Sequence, residues 1–237
     1  MATMVEGAVR AERFWQRMAI GLAVFIIFGF VQFALRGFVD PEKAPFWVHL
    51  HGVAMLAWLG LLIVQPTLEA RGNLALHRRL GWAGAGLAVL IVCLGIFVGL
   101  ASLALNRFPP FFTAPYFLAL TTIEALAFGL AVMMAIRRRS DTEWHRRLMI
   151  GATIMILEPA LGRLLPMPLM IGWSDIPVAL IQLAVVGIIA AHDRRTLGHV
   201  HPATKAVALL VIAVRVIVYL LSLTPPVAAL AAKLTAS

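Results

Sequence analysis

Two short stretches of the sequence carry the same run of chemistry-bearing side chains. His77-Arg78-Arg79-Leu80-Gly81 and, 68 residues later, His145-Arg146-Arg147-Leu148-Met149 each place one imidazole and two guanidiniums where a polar loop gives way to an apolar run. An imidazole ligates iron, copper or zinc through either ring nitrogen and changes charge near neutral pH. If His77 and His145 approach at one depth, they share a ligand. If not, each run is an interfacial helix start whose His and Arg solvate headgroups. A second set sits inside apolar runs: His51, Glu124, Glu158, Arg163 and Arg215. Charged groups in hydrocarbon are costly and face a bundle interior or a watery cavity. Glu124 and Glu158 lie roughly 15 Å from an end of their runs at about 1.5 Å per residue, near mid-depth. These five are either structural ion pairs, Arg215 with Glu124 or Glu158, or the lining of an outward-facing polar cavity. Such a cavity would take a small lipid-like ligand, a quinone or a proton. Pro159, next to Glu158, frees a backbone carbonyl one turn back and favours the cavity.

Other chemistries are poorly served. His49 and His51 stand two residues apart on a helix, so their side chains point about 200° apart and cannot share one ion; no metal site is expected there. His192, His199 and His201 share the polar side with His77 and His145, but the last two sit in a Gly- and Pro-bounded loop as solvated imidazoles. HExxH, GxSxG, a P-loop and GxGxxG with an acidic partner are all missing. The single Cys93 removes an intrachain disulfide, a CxxC pair and a thiolate zinc cluster. The methionines are scattered at helical spacing, as packing residues are.

The elements that must hold these residues are transmembrane helices. Of 237 residues 62% are hydrophobic and 13% charged, about half the usual charge of a soluble chain. The mean hydropathy is +0.93. Seven apolar runs fall at about 18–36, 46–66, 80–104, 114–136, 147–165, 176–191 and 205–222. The expected fold is an all-α membrane protein, residues 1–237 forming one bundle of seven spans with no separate soluble domain. Asp40-Pro41, Asn106 through Pro110 and Leu165 through Asp175 read as turn-rich connections on one side. On the other side lie 14 of the 20 basic residues: Arg10, Arg13, Arg17, Arg71, Arg78, Arg79, Arg137, Arg138, Arg139, Arg146, Arg147, Arg194, Arg195 and Lys205. The positive-inside rule puts that side and the N-terminus in the cytoplasm and the C-terminus outside. The formal net charge of +9 is thus a topology signal and a contact surface for anionic membrane lipids. No nucleic-acid partner is expected, because no basic-aromatic face or binding motif accompanies the charge.

The pattern His49-x-His51-Gly52, Trp58, Gln65, His77-Arg78-Arg79-Leu80-Gly81, then Trp144-His145-Arg146-Arg147-Leu148-Met149, Pro159 and Arg163, resembles bacterial polytopic membrane families of unknown function. The resemblance covers about residues 46–165 and implies an inner-membrane protein with a parallel pseudo-repeat in spans two to five. A weaker similarity is to the ascorbate-reducible cytochrome b family, in which histidines on alternate helices of a four-helix core pair across two haems. It implies His77 and His145 as axial ligands of haem b near the cytoplasmic face. His51 has no histidine counterpart in residues 114–136, so one haem is implied rather than two. Two functions remain open on these residues. One is electron transfer through a single b-type haem with a quinone-like partner. The other is a non-enzymatic binding, sensory or accessory subunit whose outward-facing polar cavity receives a small lipid-like ligand, with another membrane subunit as a partner.

Overall fold

The computed structural model describes the backbone of residues 2–236 and the side chains of residues 13–236. Arg10, counted above among the basic residues, therefore lies outside the described side chains. Among the described residues the chain is all-helical. The helices are α1 (Ala2–Leu35), α2 (Phe46–Ala70), α3 (Leu74–Ala104), α4 (Ala114–Arg137), α5 (Thr142–Met155), α6 (Glu158–Leu164), α7 (Asp175–Leu197), α8 (Pro202–Ser222) and α9 (Pro225–Thr235). Six of them, α1 to α4, α7 and α8, are long and apolar enough to cross a membrane. Their outward faces are apolar too: Val24, Phe28, Val53, Val89, Phe97, Ile188 and Leu209 are all exposed. A soluble bundle would carry charge there, whereas lipid tails receive these side chains at no cost. This is the architecture of a multi-pass membrane protein.

Local chemistry sets the helix boundaries. Asn73, Thr113 and Asp141 accept hydrogen bonds from the first free backbone N–H groups of α3, α4 and α5. Gly198 ends α7 in the left-handed conformation at φ 77°, where a side chain is strained. The connections at the acidic and proline-rich end contain short 3-10 turns, Pro41–Lys43 and Met167–Met170.

The fifth apolar run is the exception to regular helix. Pro159 has no N–H to donate and its ring crowds the carbonyl one turn back, so the run is broken at Ile156 and Leu157 into α5 and α6. A break inside the bundle leaves carbonyls to satisfy. Gln182 of α7, buried, reaches across and donates its side-chain amide to the Ile154 carbonyl at 2.8 Å. On the other flank α1 closes on α6, where Gly29 leaves no room for a side chain: a Cβ there would meet the Ala160 carbonyl oxygen at 3.0 Å.

Helix α4 occupies the centre, packed by α3, α5, α8 and α9. Gly99 of α3 lies so close to Thr121 of α4 that a Cβ would fall 2.5 Å from its Oγ1, and Gly151 of α5 lies equally close to Val207 of α8. Small residues thus set the α3–α4 and α5–α8 crossings, as they do where helices approach in lipid. The terminal helix α9, which hydropathy alone leaves as a tail, folds back on α3 and α4. Its Ala231 packs with Leu103 and Leu118, and Asn106 donates to the Thr235 carbonyl.

Candidate functional site

At the end of the bundle that carries the basic loops, α2, α3, α4 and α5 surround a cavity of about 650 Å³. Its size falls in the ordinary range for bound organic cofactors, about 300–1,000 Å³. His77 and His145 both line it, with ring centroids 6.4 Å apart and planes 78° to one another. Each ring is held by a carbonyl of the preceding helix. His77 Nδ1 lies 3.4 Å from the Gln65 carbonyl of α2, and His145 Nδ1 lies 2.9 Å from the Ala135 carbonyl of α4. Ala135 is in the last turn of α4, where the carbonyls have run out of helical donors. A carbonyl only accepts, so in the neutral imidazole the proton sits on Nδ1 and the Nε2 lone pair is free. Metal-ligating histidines are oriented in this same way.

The rest of the lining suits a flat, acidic group. Gly81, Gly84 and Ala85 give α3 a low wall, while Trp58 and Trp82 supply apolar faces and Arg78, Arg139 and Arg146 supply positive charge. Three buried polar atoms in this lining have no hydrogen-bond partner among the described residues: Trp15 Nε1, Gln65 Oε1 and Arg146 Nε. Two imidazoles alone do not make a zinc or copper site, which needs a third or fourth protein donor. Among the described residues no group of three or more His, Cys, Asp or Glu is placed to hold a metal ion. The donor set fits a metal that brings its equatorial ligands with it.

The two motifs part company at their arginines. Arg78 and Arg79 of α3 are exposed. Arg147 of α5 is 1% exposed and bonded to a fully buried Asp193 of α7, through Nε at 3.1 Å and Nη2 at 2.5 Å. The other oxygen of Asp193 accepts from the His201 N–H at 3.1 Å and from Thr204 Oγ1 at 2.5 Å, tying down the start of α8. Arg147 also pairs with Glu143 one turn before it, and both Arg146 and Arg147 lie over the Trp15 ring of α1. The remaining histidines of this end have structural partners. His192 stacks on Phe14 at 3.7 Å, His199 Nδ1 meets the Leu197 carbonyl, and His201 Nδ1 accepts from the Ala203 N–H as the cap of α8. Burial, with the Arg147 charge nearby, holds the His201 imidazole below its ordinary pKa.

In the other half, Arg215 of α8 is ion-paired with Glu124 of α4, and its Nη1 reaches Asp175 of α7 at 3.3 Å. Asp175 in turn accepts from the Tyr116 hydroxyl. Glu158, 7% exposed, stands near this group, and its side chain makes no hydrogen bond or ion pair among the described residues. Arg163 donates to the Pro159 carbonyl at 2.6 Å and lies 4.1 Å over the Phe30 ring, so its contacts are elsewhere. His51 packs toward Gly95 of α3, its Nδ1 buried with no hydrogen-bond partner among the described residues. Of the five residues read from the apolar runs, Glu124 and Arg215 touch, Glu158 lies beside them, and Arg163 and His51 make their contacts away from the pair.

Asp175, Tyr116 and Asp193 escaped the sequence reading as site residues, and Gln65 entered it only as part of a motif. Both aspartates stand just past the ends of the sixth apolar run, where a carboxylate reads as a solvated loop residue. A signal for Asp193 was nonetheless present: a buried arginine at the start of one span needs a carboxylate at the same depth. No family model, no curated protein and no solved structure matches this chain.

Proposed function

We propose that this chain is a membrane electron-transfer protein that holds one haem b between His77 and His145 and exchanges electrons with a quinone-like partner. The observation that carries the reading is the pair of cavity-lining imidazoles, each fixed through Nδ1 by a backbone carbonyl and each keeping a free Nε2, with centroids 6.4 Å apart. The haem supplies a one-electron couple, which the protein tunes through its axial ligands and the polarity around them. His77 and His145 would hold it, Arg146 and Arg78 of the lining would supply counter-charge to its carboxylates, and the buried Trp58 would give it an apolar wall. The weaker likeness to the ascorbate-reducible cytochrome b family implies the same two ligands.

The reading includes seven spans, with α5 and α6 together making the fifth, broken crossing. By the positive-inside rule the cavity then opens on the cytoplasmic face of a bacterial inner membrane, with the N-terminus on that side and the C-terminus outside. Purified protein from haem-replete cells should show a Soret band, a sharp α-band on reduction, and one iron per chain. His77→Ala and His145→Ala should each lose the low-spin spectrum, while His51→Ala keeps it. A colourless, iron-free protein from such cells overturns the proposal.

A further inference from the structure

The polar cluster in the half of the bundle away from the haem-sized cavity has more acid than base. Glu124 of α4, Asp175 of α7 and Glu158 of α6 are three carboxylates; Arg215 of α8 and Arg163 of α6 are the two guanidiniums whose charges act on Glu158. Tyr116 of α4 is the remaining titratable group of the cluster. If all ionise as in water, the cluster carries one uncompensated negative charge. Within hydrocarbon an unpaired carboxylate costs several kcal/mol, and binding a proton removes it.

The hydrogen bonds show which carboxylate is left over. Glu124 is ion-paired with Arg215, and Asp175 has both Arg215 and the Tyr116 hydroxyl. Glu158 has neither, although it is 7% exposed and sits at the Pro159 break, where α5 stops and α6 begins. Arg163, one turn along the same helix, is turned to the Pro159 carbonyl and the Phe30 ring instead. The cluster also has one partly exposed member. The side chain of Asp175 is 27% exposed at the start of α7 and is bonded to Tyr116, near the start of α4, and to Arg215.

We propose that Glu124, Asp175, Glu158 and Arg215 form an intramembrane proton-binding site reached from the end opposite the histidine cavity, with Glu158 holding the exchangeable proton. Its ligand is a proton taken up at the carboxylate and released through the Asp175–Tyr116 end. The site rests on none of the residues assigned to haem.

Hydrophobic carbodiimides add only to protonated carboxyl groups in apolar surroundings. Full-length protein in lipid nanodiscs, treated with dicyclohexylcarbodiimide from mildly acidic to alkaline pH and mapped by peptide mass spectrometry, should carry the adduct on Glu158. Labelling should fall about tenfold per pH unit above the midpoint, as one titrating proton requires. Arg163→Gln, which removes a nearby positive charge, should move that midpoint to higher pH. Infrared difference spectra supply a readout that needs no reagent access: a protonated carboxylic acid band lost in Glu158→Gln. An adduct confined to Glu124, or wild-type protein with no carboxylic acid band at any pH, overturns the proposal.

Discussion

Removing the Asp193 carboxylate should cost about 5 kcal/mol of bundle stability, and the structure says why the value is neither smaller nor larger. Asp193 is 0% exposed and accepts from Arg147 Nε and Nη2, from the His201 N–H and from Thr204 Oγ1. In Asp193→Ala two neutral donors lose their acceptor, at about 1 kcal/mol each or more when buried. The 1%-exposed Arg147 also loses a counter-charge, and breaking a buried pair costs about 3–5 kcal/mol. Arg147 keeps Glu143, whose side chain is 36% exposed and so partly screened, which places the pair loss at the lower end of that range, about 3 kcal/mol, and the total at about 5 kcal/mol. Equilibrium unfolding in mixed micelles, followed by helical circular dichroism, measures it. Arg79→Ala, the matching position of the first motif but exposed, should change stability by less than about 0.5 kcal/mol. Replacing Arg147 and Asp193 together by leucine should recover most of the loss, as apolar replacements of buried pairs do. If Asp193→Ala costs under about 1 kcal/mol, the clamp is not what holds α5, α7 and α8 together. A double variant no better than the single would refute the electrostatic account.

Glycine substitutions should separate by position: Gly99→Ala and Gly151→Ala, whose new Cβ atoms would fall 2.5 Å from Thr121 Oγ1 and 2.4 Å from Val207 Cγ2, should each cost about 1–3 kcal/mol. Gly86→Ala meets open space and should be neutral or slightly stabilising in the same unfolding assay. The His201 imidazole favours its neutral form in the fold and caps α8 through an unprotonated Nδ1. Its contribution is therefore complete above the ordinary histidine value of about 6.5 and is lost as pH falls through the lower folded value. His201→Asn, a cap that does not titrate, should flatten that part of the pH–stability profile; an unchanged profile assigns it to another group. Single cysteines at Arg138 and Asp40, in a Cys93→Ser background, should react with impermeant maleimide from opposite sides of sealed vesicles. Labelling of both from one side would refute the seven-span crossing.

Membrane character, the helical class and most helix boundaries were legible without coordinates, because each depends on a local sum. Hydropathy adds along a segment, Pro and Gly act on their own turn, and caps such as Asn73, Thr113 and Asp141 act within three residues. The break at Pro159 belongs to the same class. Partners across helices do not, since they depend on how far each helix turns and slides against its neighbours. His77 and His145 look equivalent in sequence and do line one cavity, yet the arginines after them diverge: Arg79 faces out while Arg147 is buried against Asp193. Helix α5 packs on α8 at Gly151, whereas Arg79 on α3 stands at the surface. Glu124 and Arg215 were paired candidates by depth, but depth cannot say that Asp175 would join them or that Arg163 would turn to Phe30. The composition demanded counter-charges for buried groups. Only the packing of α4, α7 and α8 decided which carboxylates meet the guanidinium, and left Glu158 outside that pairing.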